Sequence, residues 1–227
     1  MLGFAIHTSS PQLGLMLQGT DPSGAPINRH QVWDLGRDVS GHLHVKMMEF
    51  IQPYGWQDLS FVAVAKGPGG FTGTRIGVVA ARTLAQQLTI PLFGVSSLAA
   101  LAAQSVALGI DSHKTSEIAV AMPAKREAVY GAVYRVQAND RLAVVRAEAV
   151  VPAVEWESAI LRRRGVAIVK PTQEDAIPMR RVETIAGAGI ADSVTGVMSI
   201  AMADWERGER PEWSSVMPFY GQHPVTR

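Results

Sequence analysis

No cysteine occurs in the 227 residues, which excludes disulfides, thiolate metal sites and cysteine nucleophiles and fits a reducing compartment. Charge is scarce: 18% of residues are charged, below the usual quarter or so, which points to a compact globule with much buried surface. The 21 basic and 20 acidic residues create no global field to draw nucleic acid or membrane. Carboxylates are missing altogether between Asp58 and Asp111. That gap removes carboxylate acid–base chemistry and Asp/Glu metal ligation from the stretch. Its charges, Lys66, Arg75 and Arg82, are all positive, so an ionic partner of this face is an anion or an acidic protein surface. A basic leader is also lacking from "MLGFAIHTSS". The uncharged stretch Thr83 to Ile110 is broken by glutamines, Pro91, Gly94 and serines, so it reads as buried helix, strand and helix rather than a span. A soluble cytoplasmic chain without a membrane partner is expected.

What is present alternates strand and helix. Leu2 to Ile6, Leu13 to Leu17 and Asn28 to Leu35 read as three strands separated by turns at Ser10–Pro11 and Asp21–Pro26. Leu43, Met47, Phe50 and Ile51 form a helical stripe that ends before Pro53 and Gly55. Phe61 to Ala65 is β-like, Thr72 to Leu88 helical and Pro91 to Val95 a strand. Ser96 or Ser97 then caps an alanine-rich helix to about Leu108. Beyond Asp111 come strands at Ile118–Met122, Ala128–Val136 and Leu142–Val151, a helix at Pro152–Arg164, a strand at Val166–Lys170 and a last helix over Ala188–Arg207. The pattern predicts an α/β fold with mixed sheets and flanking helices. It divides into an N-terminal lobe over 1–110 and a smaller second lobe over 111–227, with the last helix packing back on the first lobe.

"KGPGGFTGTR", Lys66 to Arg75, has the outline of a phosphate loop: strand, glycines, helix start. It lacks the lysine–hydroxyl pair and spacing of a P-loop. Gly67, Gly69 and Gly73 give G-x-G-x-x-x-G, one residue too long for the dinucleotide fingerprint, and no acid follows for a ribose. The helix after the loop carries Gly73, Gly77, Ala81 and Ala85 at strict i+4 spacing, with Ile76, Val79, Ala80 and Leu84 on an adjacent face. Such a bare stripe permits close approach either of the chain's own sheet or of a partner helix, and the Met-rich helix before it suits an adaptable surface.

Other chemical candidates are thin. His42 and His44 point apart on a helix and cannot chelate one ion. His7 stands at a strand end that could face a cleft. The arginines at 162–164 and 180–181 could touch RNA phosphates, but without interleaved aromatics they read as solvated basic faces. Nothing assembles a nucleophile, base and orienter.

Gly67 to Ala102, "GPGGFTGTRIGVVAARTLAQQLTIPLFGVSSLAALA", closely resembles the signature block of the bacterial TsaB (YeaZ) family. "FAIHTSSPQLGLML", "GHLHVKMMEFI", "AMPAKREAVYGAVY" and "MPFYGQHPVTR" sit where that family has matching segments. The resemblance is strong to about Ala103 and weaker from Asp111. It implies an actin-like, Hsp70-like (ASKHA) two-lobe fold of duplicated RNase-H-like units. It also implies a non-catalytic partner of TsaD, working with TsaE, in threonylcarbamoyladenosine modification of ANN-decoding tRNAs. On that reading tRNA is met indirectly, the isolated chain forms a homodimer, and there is no intrinsic cofactor or metal. ATP or ADP would be met only at a partner junction, with Gly69, Gly70, Thr72 and Arg75 as candidate contacts.

The implied partner interface uses the two helices beside the loop, at Leu43, Met47, Phe50, Gly73, Ile76, Gly77, Ala80, Ala81, Leu84 and Ala85. The sequence departs from the family at His7, where the family has Asp in "DTS", and at Pro123–Tyr130, "PAKREAVY", where it has "DARRGEVY". Both changes remove carboxylates that could hold a Mg²⁺–nucleotide. The alternative reading is a metal-dependent peptidase-like or nucleotide-hydrolysing enzyme of the same superfamily.

Overall fold

The computed structural model describes residues 1–108, 117–137, 141–163, 166–171, 184–187 and 190–219. Two mixed five-stranded sheets carry the chain, and they repeat one topology. In the first, β1 (Leu2–His7), β2 (Gln12–Thr20) and β3 (Pro26–Asp34) form an antiparallel meander. Helix α1 (Val39–Ile51) then leads to β4 (Phe61–Ala65), which lies parallel to β1. Helix α2 (Phe71–Leu88) leads on to β5 (Leu92–Val95), parallel to β4. The strand order is β3-β2-β1-β4-β5. Helix α3 (Ser97–Ala107) crosses to the second sheet, where β6 (Glu117–Pro123), β7 (Ala128–Val136) and β8 (Leu142–Pro152) form the second meander. After α4 (Ala153–Leu161), β9 (Val166–Pro171) pairs parallel to β6 and β10 (Thr184–Gly187) parallel to β9. The order β10-β9-β6-β7-β8 is the same arrangement again. The predicted α/β fold of duplicated mixed-sheet units is the observed one.

Alternation along β1 explains the layering. Leu2, Phe4 and Ile6 join Leu13, Leu15, Leu17, Val62 and Val64 in a core capped by α1 and α2. Ala5, Met16, Phe61 and Ala63 point the other way, onto Val194, Val197, Met198 and Ala201 of α5 (Val194–Glu206). On its other side α3 supplies Leu98, Leu101 and Ala102 to one face of the second sheet. Trp156 and Ile160 of α4 cover the opposite face. Helices α3 and α5 therefore fill the space between the sheets. They cross closely at Gly196, where a Cβ would stand 2.0 Å from the Ala100 carbonyl oxygen.

The last helix starts at Val194, later than the predicted Ala188, because a 3₁₀ turn over Ile190–Ser193 precedes it. There the Ser193 hydroxyl donates to the Ile190 carbonyl, and the Asp192 carbonyl accepts from Thr195, a local competition with helix hydrogen bonding. The tail beyond Phe219 and Arg180–Arg181 lie outside the described residues. Among the described residues no helix is long and apolar enough to cross a membrane.

Candidate functional site

The glycine loop is turned inward, onto the chain's own first turn. Thr8 follows β1, and its hydroxyl donates to the Gly73 carbonyl at 2.8 Å. The Gly70 N–H donates to the Ser9 carbonyl at 2.7 Å, and a Cβ on Gly69 would stand 2.3 Å from that same oxygen. Gly67 has φ +99° and lies under the Phe219 carbonyl, where only a glycine fits without strain. An amide that could cradle a phosphate is thus committed to Ser9. Of the other candidate nucleotide contacts, Thr72 and Arg75 are exposed, and the Arg75 guanidinium lies 5.3 Å from the centre of the Phe71 ring.

The small-residue stripe of α2 serves the same inward packing. A Cβ on Gly73 would meet the Thr8 carbonyl oxygen at 2.2 Å, and one on Gly77 the Thr8 hydroxyl at 2.1 Å. Ala81 and Ala85 are wholly buried, as is Leu43, while Ala80, Met47 and Phe50 are nearly so. Gly73, Ile76 and Leu84 are half-buried. Within the chain itself Gly73 and Gly77 pack on the Thr8 turn, while the buried members of the set join the core against the first sheet. The same two helices leave a different set outward. Val45 and Met48 on α1 and Phe71 and Val79 on α2 are 48%, 58%, 43% and 61% exposed.

His7 does not face a cleft. It is fully buried, neither ring nitrogen has a hydrogen-bond partner among the described residues, and burial holds its pKa down to about 3. It therefore stays neutral and can neither ligate phosphate by charge nor replace a carboxylate toward Mg²⁺. With no acid in the loop and the Gly70 N–H committed, these residues do not fit a Mg²⁺–nucleotide.

Pro123 ends β6, and the tip after it places Arg126 and Glu127 at φ 60° and 53°. His42 and His44 are both exposed, with His42 Nδ1 3.0 Å from the Asp38 carbonyl. Among the described residues no group of three or more metal-binding side chains gathers. In the basic run after Leu161, Arg163 pairs with Glu117 at 2.6 Å and Arg162 Nε donates to the Ser158 carbonyl. Both are engaged within the chain.

A family model described as TsaD, tRNA N6-adenosine threonylcarbamoyltransferase, matches residues 51–177. That is more than half of the chain. The chain belongs to this family. The Bacillus subtilis tRNA threonylcarbamoyladenosine biosynthesis protein TsaB is 34% identical over 131 residues, 58% of this chain and 54% of that protein. The TsaB of Buchnera aphidicola from Schizaphis graminum is 42% identical over 78 residues, 34% of this chain and 35% of that protein. The chain thus spans about half or less of the length of these TsaB relatives.

YeaZ from Pseudomonas aeruginosa superimposes with a TM-score of 0.76 at 22% identity, covering 96% of this chain and 99% of that one. A second Pseudomonas aeruginosa structure, of a protein described as similar to the peptidase YEAZ, gives 0.77 at 22% identity over 97% and 99% of the two chains. At that identity the two likenesses establish the shared YeaZ fold. The family-model match over residues 51–177 takes in the glycine loop and α2, the segment that packs inward on Thr8.

Proposed function

We propose that the chain is a non-catalytic partner that binds and activates TsaD in tRNA threonylcarbamoyladenosine synthesis, with TsaE as a further partner and tRNA met through the complex. The observation that carries this reading is the outward ridge Val45, Met48, Phe71 and Val79 on α1 and α2. It is an exposed apolar strip on two helices anchored by their other faces in the core. Arg75 lies along the same side and no acid occurs on α2, so the matching surface is apolar with acidic groups at its border. The same strip would pair two copies when TsaD is absent. ATP or ADP contact belongs, on this reading, to a junction with the partner rather than to the closed loop.

Co-purification with the cognate TsaD tests the proposal. Val79→Asp combined with Met48→Asp is expected to abolish the complex while leaving the melting temperature of the isolated chain unchanged. Full retention of the complex by the double variant would overturn the helix-pair interface. The enzyme reading is decided separately by metal analysis and an ATPase assay on the purified chain. Sustained turnover that scales with bound metal would replace the proposal.

A further inference from the structure

A cavity of about 330 Å³ opens along β5, on the side of the first sheet away from β4, a volume at the lower end of ligand sites. Parallel pairing fixes which backbone groups of β5 point into it. The Val62 and Lys66 amides donate to the Pro91 and Val95 carbonyls, so the odd-numbered residues face β4. Leu92 and Gly94 therefore turn their N–H and C=O outward. The Leu92 N–H is taken at 3.3 Å by the Pro211 carbonyl, where the segment after α5 first crosses the edge. That segment returns at Phe219, whose N–H donates to the Lys66 carbonyl. Between the two crossings, among the described residues, the Gly94 N–H and C=O have no hydrogen-bond partner.

The walls of this gap are polarised. Asp204 and Glu209 stand in the cavity wall with Pro211, whose carbonyl takes the Leu92 N–H, and the two carboxylates share Arg207. Burial raises the Asp204 pKa, with Arg207 and then Arg141 opposing. At the other end Lys66 follows β4, and its stem lies over Gly94. Among the described residues its ammonium has no ion-pair partner. Phe93 and Ile200 line the cavity with apolar surface.

We infer that this edge takes a short extended peptide with free termini, about three residues long, laid parallel to β5 as a sixth strand. Gly94 would donate to one peptide carbonyl and accept from one peptide N–H, which is strand addition at a bounded edge. The peptide ammonium would lie toward Asp204 and Glu209, and its carboxylate toward Lys66. Three extended residues span roughly 10 Å, matching the stretch from Leu92 to Val95. A free amino acid is too short to reach both charged ends.

The test is an amide NMR titration of the ¹⁵N-labelled full chain with the tripeptide Ala-Leu-Ala. Saturable shifts centred on Gly94 are expected. The N-acetylated, C-amidated form should bind about tenfold or more weakly. Lys66→Met should weaken the free peptide and leave the binding of its C-terminal amide unchanged. Three results would each overturn the inference: no shift at about 10 mM peptide, equal binding of free and capped forms, or free leucine binding as well as the tripeptide.

Discussion

Thr8 and Gly73 are joined by a 2.8 Å hydrogen bond across a sequence separation of 65 residues. The bond ties the end of the first strand to the first turn of α2. Four residues along that helix, Gly77 brings its bare Cα against the Thr8 side chain.

Gly77→Leu is therefore expected to strain the core, because even its Cβ would stand 2.1 Å from the Thr8 hydroxyl. A loss of about 3 kcal/mol or more is expected, the upper range of overpacking costs, read by urea denaturation of the isolated chain. Gly77→Ala should cost less but still destabilise. Val79→Asp, two residues on and 61% exposed, should stay within about 0.5 kcal/mol of the parent. Equal stability of the Gly77→Leu and Val79→Asp variants would contradict the inward packing of the stripe.

His7 gives a pH dependence with a definite sign. Its pKa falls from 6.5 in the unfolded chain to about 3 when folded, because it is buried. The unfolded chain takes up the proton first, so this contribution is fully present above pH 6.5 and is lost as pH falls toward about 3. Stability should fall by about 1.4 kcal/mol per pH unit inside that window from this group. Denaturation midpoints of the parent and His7→Asn, compared between neutral and mildly acid pH, isolate the effect. The variant should show the shallower decline.

Ser96 performs two tasks at the start of α3. Its hydroxyl oxygen accepts from the Leu98 and Ala99 amides, and the hydroxyl donates to Glu148 on β8. Ser96→Ala should lower stability by about 1–2 kcal/mol, a cap loss plus an abandoned carboxylate. Ser96→Asp, which keeps the cap and repels Glu148, should lose stability that Glu148→Gln restores. A double-mutant cycle in thermal melts checks both.

Arg29 lies over the Phe50 ring at 4.7 Å and donates to the Phe50 carbonyl near the end of α1. A cation there complements the helix dipole. Arg29→Met should cost about 1–2 kcal/mol and loosen the C-terminal turn of α1, seen as faster amide exchange at Glu49 to Ile51. Unchanged exchange would show that the ring contact alone matters.

Much of the fold was legible because local pattern and tertiary role agree. The alternation in Leu2 to Ile6, the i+4 stripe from Leu43 and the glycines before α2 each identify their element without knowledge of its neighbours. The direction of the Gly73–Gly77–Ala81–Ala85 stripe was not legible. A bare helix face fits a partner helix and the Thr8 turn equally well, and only long-range placement brings Thr8 there. The outward ridge was hidden for the same reason, since Val45, Met48 and Val79 read as ordinary members of amphipathic helices. His7 looked accessible because strand ends commonly border clefts; here alternation puts it on the Ala5 face of the sheet, the side that α5 covers, and it is fully buried. The β5 cavity depends on Pro211 and Phe219 returning to strand residues more than a hundred positions earlier, a contact no window of sequence contains.

The packing of α5 has a consequence for the order in which the molecule is made. Residues up to Ala107 contain every strand of the first sheet, but Ala5, Phe61, Ala63 and Phe93 are covered from one side by Val194, Val197, Met198 and Ala201. A nascent chain that has not yet released α5 holds a sheet with one bare apolar face. That exposed intermediate is a client for chaperones and a nucleus for misassociation. Truncation before Val194 should leave an N-terminal half that cannot stand alone, although its own strands are complete.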